Sequence, residues 1–363
     1  MLVRRVLPSQ VGARAVTPAR VATDYFPDEE LALVPSGCTV LDCGATGGGQ
    51  RSLEGAWPLG RIVNIVGDKS VGKTLIAIEA CANFARKYPR GRIRYREAEA
   101  AFDVNYAASL GLPVDRVNFG PKGIKTYWST VEDIFEDLRA AVIADQRSKV
   151  PSLYIVDSLD ALGSRDLIGR DLDKGTYFTA KAKLMSEMLQ ELASEFNAAN
   201  MLLIFISQIR DKIGVTFGSK VARAGGHALD FYASHIVFLR HVAWLVETVK
   251  GVERTTGVRI GFNFQKNKIA VPARKGEFVL RFGYGIDDLA ACVNWMQSEA
   301  KDWLPEIGLK ATATMAEVAK FLVRQEMLED AAYKTLAKDV RRITTEAWVD
   351  VENGFRPKRQ KYG

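Results

Sequence analysis

Long hydrophobic runs are missing from this chain: the longest strongly apolar stretch is Met201–Ile206, far short of the about 18 residues that a membrane span needs. A membrane is therefore excluded as a partner, and the sequence predicts a soluble protein. Cysteine is scarce as well. Cys38, Cys43, Cys81 and Cys292 stand at irregular spacings that match neither a zinc framework nor a dense disulfide scaffold. Reduced thiols and a cytoplasmic setting are the expectation. Acidic residues are absent from residues 1–22, which carry Arg4, Arg5, Arg14 and Arg20. Targeting segments and basic arms share that composition; with Met1 retained, a basic arm is the expectation. No internal repeat is found.

What is present suits one large α/β core with a smaller appended domain, since 363 residues are 47% apolar. The formal charge of +7 fits a polyanionic partner, although ordinary solvated surfaces often carry such an excess. Residues 1–45 hold Pro8, Pro18, Pro27 and Pro35 and no sustained helical stripe, so they read as an extended basic arm with local turns. From residue 46 to 286 the pattern is that of a core. Buried strands are expected at 62–66, 93–96, 153–156 and 201–206, with helices at 74–88, 129–147 and 180–199. Such alternation predicts a mostly parallel, helix-covered sheet. Residues 235–282 are β-rich and extend it in antiparallel fashion. Residues 287–345 form a small C-terminal helical domain, and 346–363 a basic tail.

Gly67-Asp68-Lys69-Ser70-Val71-Gly72-Lys73-Thr74 is a complete Walker A sequence, following an apolar strand and opening a helix as its mechanism requires. Glycines let backbone N–H groups curl around phosphate oxygens, Lys73 reaches the β and γ phosphates, and Thr74 ligates magnesium. ATP and Mg2+ are the implied cofactors. Asp157 ends the apolar strand Leu153–Val156 and supplies the second magnesium contact; alone, such an Asp is as often a turn or cap residue. A third acid must activate the attacking water, and both Glu97 and Glu99 follow the 93–96 strand. Spacing does not choose between them.

Five further blocks carry a family resemblance: Glu97–Asp103, Phe205–Arg210, Lys212–Gly218, Gly225–Ser234 and Lys266–Ala270. In order and spacing, from Ser36 to Ile286, the chain resembles the bacterial RecA recombinases. The resemblance implies a RecA-like P-loop core and an ATP-dependent recombinase that forms a filament of its own copies on single-stranded DNA and exchanges strands with double-stranded DNA. It makes Glu99 the water-activating carboxylate, Asp103 and Tyr106 the adenine contacts, and Gln208 the γ-phosphate sensor. Lys266 and Lys268 become the pair that reaches a neighbouring subunit's ATP; without the resemblance they read as solvated strand lysines. Two DNA loops fall near 164–178 and 209–225, with Phe178, Lys183, Arg210, Lys212, Ile213, Lys220, Arg223, Gly225 and Gly226 as DNA-binding residues. Phe178 and Ile213 match apolar wedges between stretched bases, and packing beneath their loops is the alternative.

Departures from the family mark a divergent member, at home in the cytoplasm of a bacterial cell or a phage-infected host. The arm lacks a long amphipathic helix, the tail is basic where the family is usually acidic, Asp230 replaces a frequent lysine beside Phe231, and Lys69 replaces an acid. Two other functions compete. Intact Lys73, Thr74, Glu99, Asp157 and Gln208 argue against a noncatalytic accessory protein, and the 212–234 block argues against a RecA-fold helicase or loader.

Overall fold

Alternation along the central strands decides the layers. In β3 (Ile62–Gly67), Val63 and Ile65 face one apolar cluster while Ile62 and Val66 face another; β6 (Ser152–Asp157) and β7 (Met201–Asp211) divide in the same way. Strands buried on both faces need a cover on each. The computed structural model describes residues 31–121, 123, 128–165, 174–211, 221–223 and 226–359.

The chain opens with β1 (Leu33–Val34), α1 (Thr39–Thr46), α2 (Gly49–Glu54) and β2 (Trp57–Pro58), and β3 then leads into α3 (Lys73–Lys87). Next come β4 (Arg92–Glu97), α4 (Val104–Ser109), β5 (Val117–Asn118), α5 (Val131–Ser148) and β6. α6 (Lys174–Leu192) and α7 (Glu195–Ala198) precede β7, and β8 (Val221–Arg223) and α8 (Gly226–Tyr232) follow it. A long hairpin of β9 (His235–Val249) and β10 (Val252–Asn267) continues into β11 (Lys275–Arg281) and β12 (Gly285–Asp287). α9 (Asp288–Glu299), α10 (Met315–Glu326) and α11 (Asp330–Gly354) complete the described chain.

The main sheet has the order β12-β11-β10-β9-β3-β7-β6-β4-β5, with β8 paired to β7. Pairings from β9 through β5 are parallel, and those from β9 to β12 antiparallel, as expected from the sequence. On one face lie α3, α1, α9 and α11; on the other, α5, α6 and α7 supply Ile134, Leu138, Met185, Leu189 and Phe196. Local signals set the helix starts. Thr130 accepts the Asp133 N–H at 3.2 Å ahead of α5, Asp287 accepts the Ala290 N–H at 2.9 Å ahead of α9, and Thr314 with Glu317 forms a capping box for α10.

Two expectations are corrected here. Residues 39–45, expected in the extended arm, instead belong to the wholly buried helix α1: its Thr39 N–H and hydroxyl bond the Asp288 carboxylate at 2.6 and 2.9 Å. The boundary placed at 346 falls inside α11, which runs on to Gly354 because Trp348 is buried and stacks on Trp295 at 4.9 Å. Arg341 joins the same Asp288 at 2.6 Å. Helices α1, α9 and α11 therefore share one polar joint inside one apolar cluster.

His235, at the foot of β9, is wholly buried, with Nε2 3.1 Å from Asn267 Oδ1 and its ring edge against Phe264. Burial pushes its pKa down to about 3, so it is neutral when folded and protonates near pH 6.5 when unfolded. The unfolded chain then binds the extra proton between those values, and stability falls with acid in that window, by up to ~1.4 kcal/mol per pH unit. In urea titrations between pH 7 and 5, His235→Gln should show a shallower pH dependence than wild type; parallel curves would contradict this.

Candidate active site

Register along the parallel strands brings the expected residues to one edge. Gly67 at the end of β3 pairs with Gln208 in β7, and Glu97 at the end of β4 pairs with Asp157 at the end of β6. In open parallel sheets this carboxyl edge is where ligands bind.

The phosphate loop is shaped by what its glycines lack. A Cβ on Gly67 would lie 2.7 Å from Val71 Cγ2 and 3.0 Å from the Leu239 carbonyl oxygen. Gly72 sits at φ +75° just before α3, a conformation side chains disfavour. Val71 is buried and anchors the loop, while Asp68, Lys69 and Ser70 face outward. Lys73 is 8% exposed and its Nζ donates to the Asp68 carbonyl at 2.5 Å. Burial lowers its pKa, against the pull of Glu99, Asp157, Asp160 and Asp68.

Thr74, one residue on, donates its hydroxyl to Asp157 Oδ2 at 2.8 Å, and Tyr95 donates to the same oxygen at 2.6 Å. Burial raises the Asp157 carboxyl to about 7, against these two hydrogen bonds. The next residue, Ser158, donates its hydroxyl to Glu99, and Gln208 Nε2 donates to the same Oε1 at 2.6 Å. A continuous path thus runs Thr74, Asp157, Ser158, Glu99, Gln208.

The two candidate glutamates part company in their surroundings. Glu97 is 2% exposed, and its oxygens accept the backbone N–H groups of Glu99 at 2.8 Å and Phe102 at 2.9 Å. Its carboxylate is spent on the loop that presents Glu99. Glu99 itself is exposed. Asp103 caps α4, accepting the Tyr106 N–H at 3.0 Å, and Tyr106 is half-buried beside it.

Other expected site residues lie elsewhere. Lys266 Nζ donates to the Asp230 and Phe231 carbonyls and Lys268 Nζ to the Phe231 carbonyl at 3.2 Å, all at the end of α8. Phe231 is 71% exposed. Lys183 points outward from α6 and pairs with Glu187 at 3.8 Å. Phe178 falls within α6, Arg210 within β7 and Arg223 within β8, with their side chains outside the described residues, and Gly226 starts α8. Lys212, Ile213, Lys220 and Gly225 lie outside them altogether. Sequence reasoning missed Tyr95 and Ser158. Only their placement, one in the strand beside Asp157 and one directly after it, could have drawn attention to them.

The donor set fits a nucleotide with magnesium. No cluster of three or more His, Cys, Asp or Glu side chains able to hold a metal occurs among the described residues, and Mg2+ commonly takes one or two protein oxygens with the rest from phosphates and water. Thr74 and Asp157 would supply such a pair.

A family model described as the RecA N-terminal domain matches residues 24–287. The chain is similar to proteins named Protein RecA: 34% identical over 260 residues to that of Streptomyces avermitilis, covering 72% of this chain and 63% of the relative. Against the one from Nocardioides sp. identity is 34% over 258 residues, covering 70% and 66%. For Nostoc punctiforme it is 34% over 261 residues, covering 72% and 66%. The match thus spans just under two thirds of these relatives' length.

From the geometry, Glu97→Ala should lower stability by about 1–3 kcal/mol, because two loop amides lose their acceptor. Glu99→Gln, which keeps an acceptor oxygen for the Ser158 hydroxyl on an exposed side chain, should leave it within about 0.5 kcal/mol. Thermal and urea melts of the two variants, without nucleotide, check the difference; equal effects would refute the division of roles.

Proposed function

The chain belongs to the RecA family, and from that premise we propose that it is a DNA-dependent ATPase that polymerises on single-stranded DNA and exchanges it with a homologous duplex. The observation that carries this reading is the continuous path from Thr74 to Gln208 beside Lys73, assembled from the ends of four strands.

In this reading the loop of residues 67–74 binds the triphosphate through its backbone N–H groups, and Lys73 turns from the Asp68 carbonyl to the phosphates. Thr74 and Asp157 hold magnesium, which supplies counter-charge to the phosphates. Glu99 orients and deprotonates the attacking water, and its proximity to Gln208 links that step to the strand leading into residues 209–225. Asp103 and Tyr106 face the base. Arg210, Lys212, Lys220 and Arg223 neutralise DNA phosphates, while Phe178 and Ile213 act at base steps.

Lys73→Ala and Glu99→Gln should each reduce DNA-stimulated ATP hydrolysis at least a hundredfold, yet differ in binding. Glu99→Gln keeps the phosphate cradle and should bind a fluorescent ATP analogue within threefold of wild type, whereas Lys73→Ala should bind poorly. Wild-type turnover in Glu99→Gln would sink the assignment. Strand-exchange assays with homologous and scrambled duplexes test the wider function, and electron microscopy should show open filaments; closed rings would point to a helicase.

Lys266 and Lys268, turned to α8 and its exposed Phe231 in this chain, are proposed to serve a neighbour's ATP across the filament interface. Mixing Lys266→Ala/Lys268→Ala with Glu99→Gln should restore part of the hydrolysis that neither shows alone. No rescue despite proven co-assembly would count against composite sites.

A further inference from the structure

A charged pair of side chains beside the candidate site has no place in the roles assigned so far. Lys181, on α6, is 5% exposed. Its Nζ donates to the carbonyl of Leu159 and, at 2.7 Å, to that of Leu162. Those carbonyls bracket a single short turn, Leu159–Ala161, which follows Ser158 directly. Burying an ammonium group is costly unless its hydrogens are taken up, and packing alone would be served by an apolar residue. The lysine instead fixes the turn to the helix.

The turn carries Asp160, whose Oδ2 accepts the backbone N–H of Gln208 at 2.6 Å. That amide belongs to the residue whose side chain bonds Glu99 at 2.6 Å. Asp160 is also close enough to Lys73 to act on its charge. A physical chain therefore runs from α6 through Lys181, the Leu159–Leu162 turn and Asp160 to the Gln208 backbone. Its two ends adjoin the stretches at 164–178 and 209–225.

We propose that Asp160 and Lys181 are positioning residues that hold Gln208 in register with Glu99 and pass the state of α6 to the hydrolytic site. A shift of α6 moves Lys181, Lys181 moves the turn, and Asp160 moves the amide of Gln208. Neither residue touches the reacting atoms. The coupling deepens the ATPase reading and rests on it, but the hydrogen bond itself is measurable without turnover.

The test uses the full chain. With saturating single-stranded DNA and magnesium, Asp160→Ala should lower kcat at least tenfold with KM for ATP within threefold of wild type. Asp160→Asn keeps an acceptor oxygen and should fall between the two. Lys181→Met should act in the same direction, and the double variant Asp160→Ala/Lys181→Met should be no slower than Asp160→Ala alone, since both break one chain. Hydrogen exchange at the Gln208 amide, without DNA, should accelerate at least tenfold in Asp160→Ala and Lys181→Met. A kcat within twofold of wild type in Asp160→Ala, multiplicative losses in the double variant, or unchanged exchange at Gln208 each overturns the proposal. If Asp160→Ala does not melt cooperatively, Lys181→Met carries the same readouts. A wild-type protein without DNA-stimulated hydrolysis removes the ATPase reading, while the exchange measurement still decides the contact.

Discussion

The site depends on one buried carboxylate. Asp157 stands at the end of β6, 1% exposed, with hydroxyls from Thr74 and Tyr95 on a single oxygen. A carboxyl group desolvated to this degree needs donors or a cation, and the two hydroxyls tie the strand end to α3 on one side and to β4 on the other. Since Ser158 follows it and bonds Glu99, the position of Asp157 sets that of the exposed glutamate. The start of α3, Asp157 and Glu99 are thereby referred to one backbone point.

The same economy appears in the flanking acids. Glu97 and Asp160 both accept backbone N–H groups, the first from the Glu99–Phe102 loop and the second from Gln208. Each holds a neighbour of Glu99 in place. A cluster of carboxylates beside a lysine is therefore divided between residues whose oxygens accept backbone amides and residues whose oxygens accept side-chain donors. Lys73, buried among them, is held by the Asp68 carbonyl and by the field of four acids.

Far from this edge, Asp288 does comparable work for the fold. It receives the Thr39 amide and hydroxyl and the Arg341 guanidinium, so α1, α9 and α11 meet at one acceptor. Stacked Trp295 and Trp348 close the apolar side of that joint. The C-terminal helices are in this way continuous with the core cluster that covers β3.

Local pattern was enough to read the parallel strands, the helix after the Walker A sequence and the antiparallel extension, because period and punctuation act over a few residues. It also marked Lys73, Thr74 and Asp157, whereas Gln208 was marked only by the family resemblance. Residues 39–46 escaped it, since the helix there is short, carries Gly44 in its interior, and is stabilised by Asp288, 249 positions distant. The choice between Glu97 and Glu99 lay beyond spacing for a related reason: both leave the same strand, and only the folding of the 97–102 loop turns one inward to amides and the other toward Gln208. Asp160 and Lys181 are ordinary charges in the sequence. Tertiary structure alone gives them partners, because the register of β7 on β3 and the packing of α6 against the Leu159–Leu162 turn are set by long-range burial.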